Sequence, residues 1–317
     1  MKLNKGDKMY RIYNEEMKQR YIKEKNKSSI ISAYYLECQF DKVSSMEKEY
    51  GKDVSNFTVY EIIEYYKMLN LSSLDSIVVM NSHFSMYTQW CLQENSVVDN
   101  QNHFLEMTMD MLKGCLNKML VDMKIISRDI ILDWVSQLPN PRDQFILLGL
   151  FEGLKGKGFC ELARLKPEDI IGNTAHLYTG RTIQISNELI SIARNCVEED
   201  KYYSISGRGI KTMPLICRGY IIKDYPNARE DVSDFQLGRK IYNSITRVLD
   251  YFDMKRIMSA NTITESGKIY MIKERAKILR KTSKNYIYSD YIKEVEEKYD
   301  FRMIRSTFWL KYEEYLK

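Results

Sequence analysis

The sequence predicts a mainly α protein with one small antiparallel β-sheet, organised in two domains. Three observations lead there. Apolar residues recur at helical spacing through most of the chain, often just behind a Ser or Thr that can cap a helix. One stretch, residues 170–185, breaks this habit and reads as short runs separated by turns. The length, 317 residues, exceeds what a single core of ordinary size needs.

Taken in order, residues 8–27 form a charged helix and residues 30–40 an apolar-rich one. Ser44-x-x-Glu47 and Thr58-x-x-Glu61 read as capping boxes, in which hydroxyl and carboxylate satisfy free backbone N–H groups at a helix start. The second opens a helix over 59–69. Ser73 starts another over 74–92, with Ile77, Met80, Phe84, Tyr87 and Cys91 on one stripe. Residues 104–123 read as one Met-rich helix, and such stripes are more often adaptable core packing than a cofactor box. Ser127 caps 128–137, which Pro139-Asn140-Pro141 stops.

Ile170-Ile171, 176–178 and 182–185 then form a three-stranded meander, turning at Gly172-Asn173 and Thr179-Gly180. Residues 187–197 return to helix. Asp234 caps a strongly amphipathic helix carrying Ile241, Ile245, Val248, Leu249 and Phe252. Thr262-x-x-Glu265 caps a helix running to about Lys281, and helices over 290–299 and 303–316 finish the chain.

Composition narrows the class. With 44% hydrophobic and 29% charged residues, wholesale disorder is excluded. No apolar run approaches the ~20 residues of a membrane span, and the charged N-terminus lacks a signal peptide's apolar core. The six cysteines, Cys38, Cys91, Cys115, Cys160, Cys196 and Cys217, are scattered without a Cys-x-x-Cys pair, which fits reduced thiols in the cytoplasm. Three histidines without shared spacing argue against a metal, and no cofactor motif is present.

Charge is unevenly spread. Residues 1–27, a basic N-terminal helical segment, hold nine basic and four acidic residues. Residues 28–120, a helical domain, hold six against twelve, and residues 121–317 hold 33 against 27. In the last part, 201–223 has five basic residues and no acid, and 268–284 has seven against one. A single cluster of this kind is usually a solvated helix face.

The stretch from Leu147 to Ile170, LLGLFEGLKGKGFCELARLKPEDI, is the most specific in the chain. An apolar helix runs into Gly153-Leu154-Lys155, and a short helix with Glu161-Leu162-x-x-Leu165 and Asp169-Ile170 follows. This layout resembles the opening box of the catalytic domain of tyrosine recombinases (phage integrases), roughly Thr-Gly-Leu-Arg-x-x-Glu-Leu-x-x-Leu-x-x-x-Asp-Ile. The resemblance covers residues 28–317 and implies a tyrosine-recombinase-like architecture: a core-binding-like domain over 28–120 and a catalytic-like domain over 121–317, closing as a clamp around duplex DNA. Both basic clusters, 201–223 and 268–284, flank segments that by this resemblance would face DNA, and it turns their reading toward a phosphate-binding surface.

In that family two arginines neutralise the scissile phosphate, a hairpin lysine protonates the leaving oxygen, histidines move protons and a tyrosine attacks. These groups act as a unit. Carried over residue by residue, the set is degenerate. Lys155 stands where the first Arg is expected, and the stretch to Glu161 is three residues longer than the pattern. Lysine can hold a phosphate but lacks the bidentate fork of Arg. The hairpin offers Arg181, which cannot donate a proton near neutral pH. Glu161 matches the acid that buttresses the first Arg and is expected to pair with a nearby lysine.

Aligning on Ser266-Gly267 places Asn261 and Thr264 where His-x-x-Arg should stand. No histidine follows His176, itself expected half-buried in a strand. Tyr312 holds the nucleophile's place near the end, but Phe308, Trp309, Tyr312 and Tyr315 also make a packing stripe. The residues expected on DNA are Lys155, Lys157, Arg181, Arg208, Lys211, Lys273, Arg275, Lys277, Arg280 and Lys281. The acidic balance of 28–120 argues against a strong DNA grip there; either the basic 1–27 compensates or the domain serves self-association.

The Gly-Leu-Lys-Gly-Lys-x-x-x-Glu-Leu form of the box is similar to that of the master repressors of SPβ-like Bacillus prophages. That similarity implies a repressor of phage genes, acting on operator DNA at the bacterial nucleoid without strand cleavage. One rival is an active recombinase with a rearranged site, using Lys155, Arg256 or Arg275, and Tyr312. Another is a helical protein-interaction module whose basic clusters are merely solvated.

Overall fold

The computed structural model describes residues 12–25, 33–205, 212–226 and 233–317. The chain divides into two compact units, Met1–Val121 and Asp122–Lys317.

The first unit contains α1 (Glu15–Lys25), α2 (Ala33–Tyr50), α3 (Val59–Met68), α4 (Leu74–Gln93) and α5 (Met109–Gly114), with α6 (Lys118–Asp122) at the division. Thr58 and Glu61 make both bonds of the expected capping box, and Ser73 caps α4. The core is aromatic. Tyr87 of α4 meets Phe40 at 4.9 Å and Tyr21 at 5.1 Å between ring centroids, both edge-on, an arrangement that exploits ring quadrupoles.

Three expectations are corrected here. Ser44 and Glu47 lie inside α2 rather than at its start. Ser44 accepts a bond from the Tyr13 amide, and Glu47 is wholly buried, gripping the Lys18 ammonium with both oxygens at 2.5 Å. The helix expected over 8–27 is therefore no separate arm where it is described: Tyr21 and Ile22 of α1 sit in the first unit's core. Residues 104–123 are not one helix but a 3-10 turn, α5 and α6, because Thr108 and Asn117 each accept from the backbone and start a new turn.

The second unit is built around α8 (Pro141–Phe151). Residues 145–151 are apolar or glycine and all buried, so the helix has no solvent face. Around it pack α7 (Arg128–Gln137), α10 (Asn187–Glu198), α11 (Asp234–Tyr251) and α12 (Ala260–Ile278). Between α8 and α10 come α9 (Cys160–Arg164) and the antiparallel meander β1 (Ile170–Ile171), β2 (Thr174–His176) and β3 (Thr182–Gln184). Its register pairs Ala175 with Ile183, and both face inward.

A second hairpin, β4 (Lys201–Tyr203) with β5 (Thr212–Pro214), was not legible in the pattern. The chain ends in α13 (Ser283–Ile287), α14 (Lys293–Tyr299) and α15 (Arg305–Leu316), which share a core with the later half of α12. Ser233 rather than Asp234 caps α11, and Ser259 caps α12 three residues ahead of the expected start.

Two glycines permit close crossings. A Cβ on Gly267 would fall 1.8 Å from the Phe151 carbonyl oxygen, so α12 crosses α8 only because that position is bare. The Ser266-Gly267 pair of the sequence has this role: Ser266 also accepts from the Ile126 amide. A Cβ on Gly238 of α11 would meet the Gly158 carbonyl oxygen at 2.1 Å. Among the described residues no helix is long and apolar enough to cross a membrane.

Candidate nucleic-acid interface

The opening box leaves α8 through Gly153, at φ +99°, where a Cβ would strike the Lys298 carbonyl oxygen at 2.7 Å. Lys155 follows, half-buried. The extra residues fold into a tight turn in which Gly156, Gly158 and Phe159 all take positive φ, near +63°. Only glycine adopts this region freely, and at Gly156 a Cβ would also strike Glu161 at 2.6 Å. The turn presents Lys157 to solvent and leads into α9, which carries Glu161.

Lys155 reaches the start of α12, donating to the Asn261 amide oxygen at 2.7 Å. Burial and the nearby Lys268 ammonium push its pKa down, with Glu265 opposing. Lys268 itself bonds Glu265 at 2.9 Å and lies over the Phe301 ring. Thr264, one turn further, is buried and spends its hydroxyl on the Ala260 carbonyl oxygen. The structure thus brings Lys155 and Asn261 together and turns Thr264 away.

Arg181 corrects an expectation. It ion-pairs with wholly buried Glu161 at 2.5 Å and donates to the carbonyl oxygens of Gly153, Glu297 and Lys298. With Nε also on Glu161, every one of its five N–H donors is committed, so none is left for a phosphate. Glu161, expected to pair with a lysine, takes this arginine and the Thr179 hydroxyl instead.

Tyr312 is 6% exposed and packs in the core of Ile269, Ile272 and Ala276, its ring 4.8 Å from that of Phe308. His176 was expected half-buried and is exposed, because Ala175 takes the inward place on β2. Arg256 is exposed on the turn after α11.

The far end of α12 forms a basic ridge. Lys273 and Lys277, one turn apart, are exposed, as are Arg280 and Lys281 just beyond the helix end. Arg275 is paired with Glu294, and Lys281 lies over the Tyr291 ring. Arg208 and Lys211 lie outside the described residues. Among the described residues no group of three His, Cys, Asp or Glu side chains could hold a metal.

A small helical unit followed by a larger one, whose opening box, hairpin and following helix start converge, is the layout of a core-binding plus catalytic-type chain. The chain belongs to the MrpR family: the family's C-terminal catalytic domain matches residues 125–316 and its N-terminal core-binding domain matches residues 12–93. It is 25% identical over 306 residues, 91% of either chain, to the SPbeta prophage-derived uncharacterized protein YopR of Bacillus subtilis (strain 168).

Among solved structures it is similar to the XerA recombinase, at 11% identity and a TM-score of 0.39 over 93% of this chain and 92% of that one. A lambda integrase (75–356) dimer bound to a COC′ core site gives 14% identity and a TM-score of 0.42 over 92% and 96%. Neither superposes closely enough to transfer a residue's role.

Proposed function

We propose that the chain is a sequence-specific DNA-binding repressor that keeps a prophage silent, using the MrpR-type fold without cutting DNA. The observation that carries this reading is the Lys155–Asn261 contact. A phosphate-holding lysine stands at the head of the opening box, and the helix start facing it offers an amide rather than an acid, a base or a second arginine. Tyr312 is packed in a core, and the second unit's sole histidine in sequence, His176, lies on the outer face of β2. Holding groups remain where cleaving groups are absent.

Lys155 and Lys157 contact the DNA backbone at the box, and Lys273, Lys277, Arg280 and Lys281 contribute a second set of phosphate contacts. Such contacts position a protein on duplex DNA, while base readout comes from other side chains. The prophage origin of the relative YopR supports the phage setting, and the protein works in the bacterial cytoplasm on operator DNA.

Mapping the DNA bound by this protein across the genome of a lysogen tests the reading. Occupancy of a few discrete phage promoters is expected. Uniform occupancy, or none, would leave the repressor reading without its operators.

A further inference from the structure

The turn between β2 and β3 spends its side chains inward, with one exception. Thr179 gives its hydroxyl to Glu161 at 2.5 Å, and Gly180, at φ +87°, has no side chain. Arg181 commits its donors to Glu161 and to backbone carbonyl oxygens. Tyr178 stands outside: it is 60% exposed, and its hydroxyl bonds none of the described residues.

A single exposed aromatic is ordinary on a protein surface. This one is held in place. The Arg164 guanidinium lies over its ring, 5.2 Å from the centroid. Arg164 is fixed in turn by Asp234, at 2.6 Å from Nη2 and 2.7 Å from Nε, and reaches the Tyr220 hydroxyl at a long 3.5 Å. A tyrosine ordered in this way meets a partner at little cost in conformational entropy.

Its surroundings say which partner. Gly156 abuts Glu161, where a Cβ would lie 2.6 Å from Cγ, and the Thr179 hydroxyl bonds the same carboxylate. Lys157 follows Gly156 and Tyr178 precedes Thr179, so two exposed side chains flank one buried acid. The start of α11 joins them a second time. Asp234 holds Arg164, and Gly238, one turn on, packs against the carbonyl oxygen of Gly158, the neighbour of Lys157.

A phosphate contact fixes the register of a duplex, whereas base edges carry its sequence. A tyrosine hydroxyl can both donate to a base edge and accept from one. We propose that the Tyr178 hydroxyl bonds the edge of one base in a groove of bound duplex DNA, as a specificity-determining residue, while Lys157 holds the backbone beside it. This rests on the sequence-specific DNA-binding reading above, and it names a side chain that reads sequence.

Selection from a random-sequence duplex library, run with the full chain and with Tyr178→Phe, tests it. The substitution keeps the ring beneath Arg164 and removes only the hydroxyl. The parent should enrich a motif, and the variant should enrich the same motif with the preference lost at one base pair or two adjacent ones. On the parent's motif duplex the variant should bind roughly three- to thirtyfold more weakly. Its affinity for a scrambled duplex, and its slope of log affinity against log salt, should match the parent's. Lys157→Ala should instead weaken both duplexes alike and shrink that slope by about one.

An unaltered motif in Tyr178→Phe overturns the proposal and leaves the DNA-binding reading standing. Equal weakening on the motif and scrambled duplexes also overturns it, since the hydroxyl then serves the backbone. A parent chain that enriches no motif removes sequence-specific binding itself, and the proposal falls with it.

Discussion

Lys155 donates to the amide oxygen of Asn261 across 106 residues of chain, tying the opening turn to the first turn of α12 at 2.7 Å. An ammonium has three donors, so this bond leaves others for a phosphate. A neutral amide at that spot does not neutralise the lysine, and Glu265, which favours its charged form, is itself bonded to Lys268 at 2.9 Å. The contact orients the lysine without replacing the groups a strand-cleaving site would need.

Duplex binding should therefore be electrostatic and strongly dependent on salt. For about five neutralised phosphates, log affinity falls against log salt with a slope near −4.5. Titration of a duplex at several salt concentrations measures it, and a flat line would mean the basic ridge of α12 is only a solvated face.

Lys155→Ala combined with Lys157→Ala should keep the fold and weaken DNA binding across all sequences. At roughly 1.5–3 kcal/mol per charged contact, affinity falls more than tenfold and a lysogen carrying only this variant releases phage. Tyr312→Phe keeps the ring that packs against Phe308 and should leave lysogeny intact. It should also leave suicide-nicked DNA without a covalent adduct, as in the parent chain. An adduct that forms with the parent and vanishes in Tyr312→Phe would make this protein a recombinase.

Arg181→Ala behaves differently, acting on stability rather than on DNA. It strands Glu161, which is wholly buried, and removal of one partner of a buried pair costs on the order of 3–5 kcal/mol. Arg181→Lys rescues only part, since three donors replace five. Denaturant unfolding reads both, and an Arg181→Ala chain as stable as its parent would refute the buried clasp.

Gly267→Ala drives a methyl group into the Phe151 carbonyl oxygen and should destabilise the second unit by about 3 kcal/mol. Gly114→Ala is the control: nothing lies within 4 Å and φ is not positive, so the change is neutral or stabilising by roughly 0.5 kcal/mol. Thermal melts of the pair separate crowding from any general intolerance of alanine.

Stability should also respond to pH through Glu199, whose carboxyl burial pushes up to about 7. The folded state then holds a proton that the unfolded state releases near pH 4.5, so this group's contribution falls as pH rises from there to 7. Glu199→Gln can still accept the Arg142 amide and should flatten that slope by up to one proton. Unfolding free energies from pH 5 to pH 7.5 check it, and an unaltered slope would show that the group titrates normally.

Local features carried most of the helical reading. The caps at Thr58, Ser73 and Ser127 and the alternation around Ala175 and Ile183 depend on neighbours a few residues away, and such patterns are visible in one dimension. What failed depended on partners far along the chain. Ser44 and Glu47 have the spacing of a cap, but Lys18 lies 29 residues back from Glu47 and draws it inward. Arg181 reads as a hairpin cation until Glu297 and Lys298, more than 115 residues on, take its Nη1 donors. Arg142 gives no signal in one dimension, because the cations beside it come from segments 22 to 98 residues later.

The Arg181 clasp also bears on how chains of this shape can change over generations. Writing histidine and arginine into positions 261 and 264 would supply two groups of a cleaving site. The hairpin position would still be occupied by a side chain that ties the carbonyl oxygens of Gly153, Glu297 and Lys298 to the carboxylate of Glu161. Replacing it with a proton-donating lysine would loosen the scaffold before any chemistry appeared. On the proposed reading, a lineage built this way would be held to gripping DNA by its own architecture, through a residue that need never touch DNA.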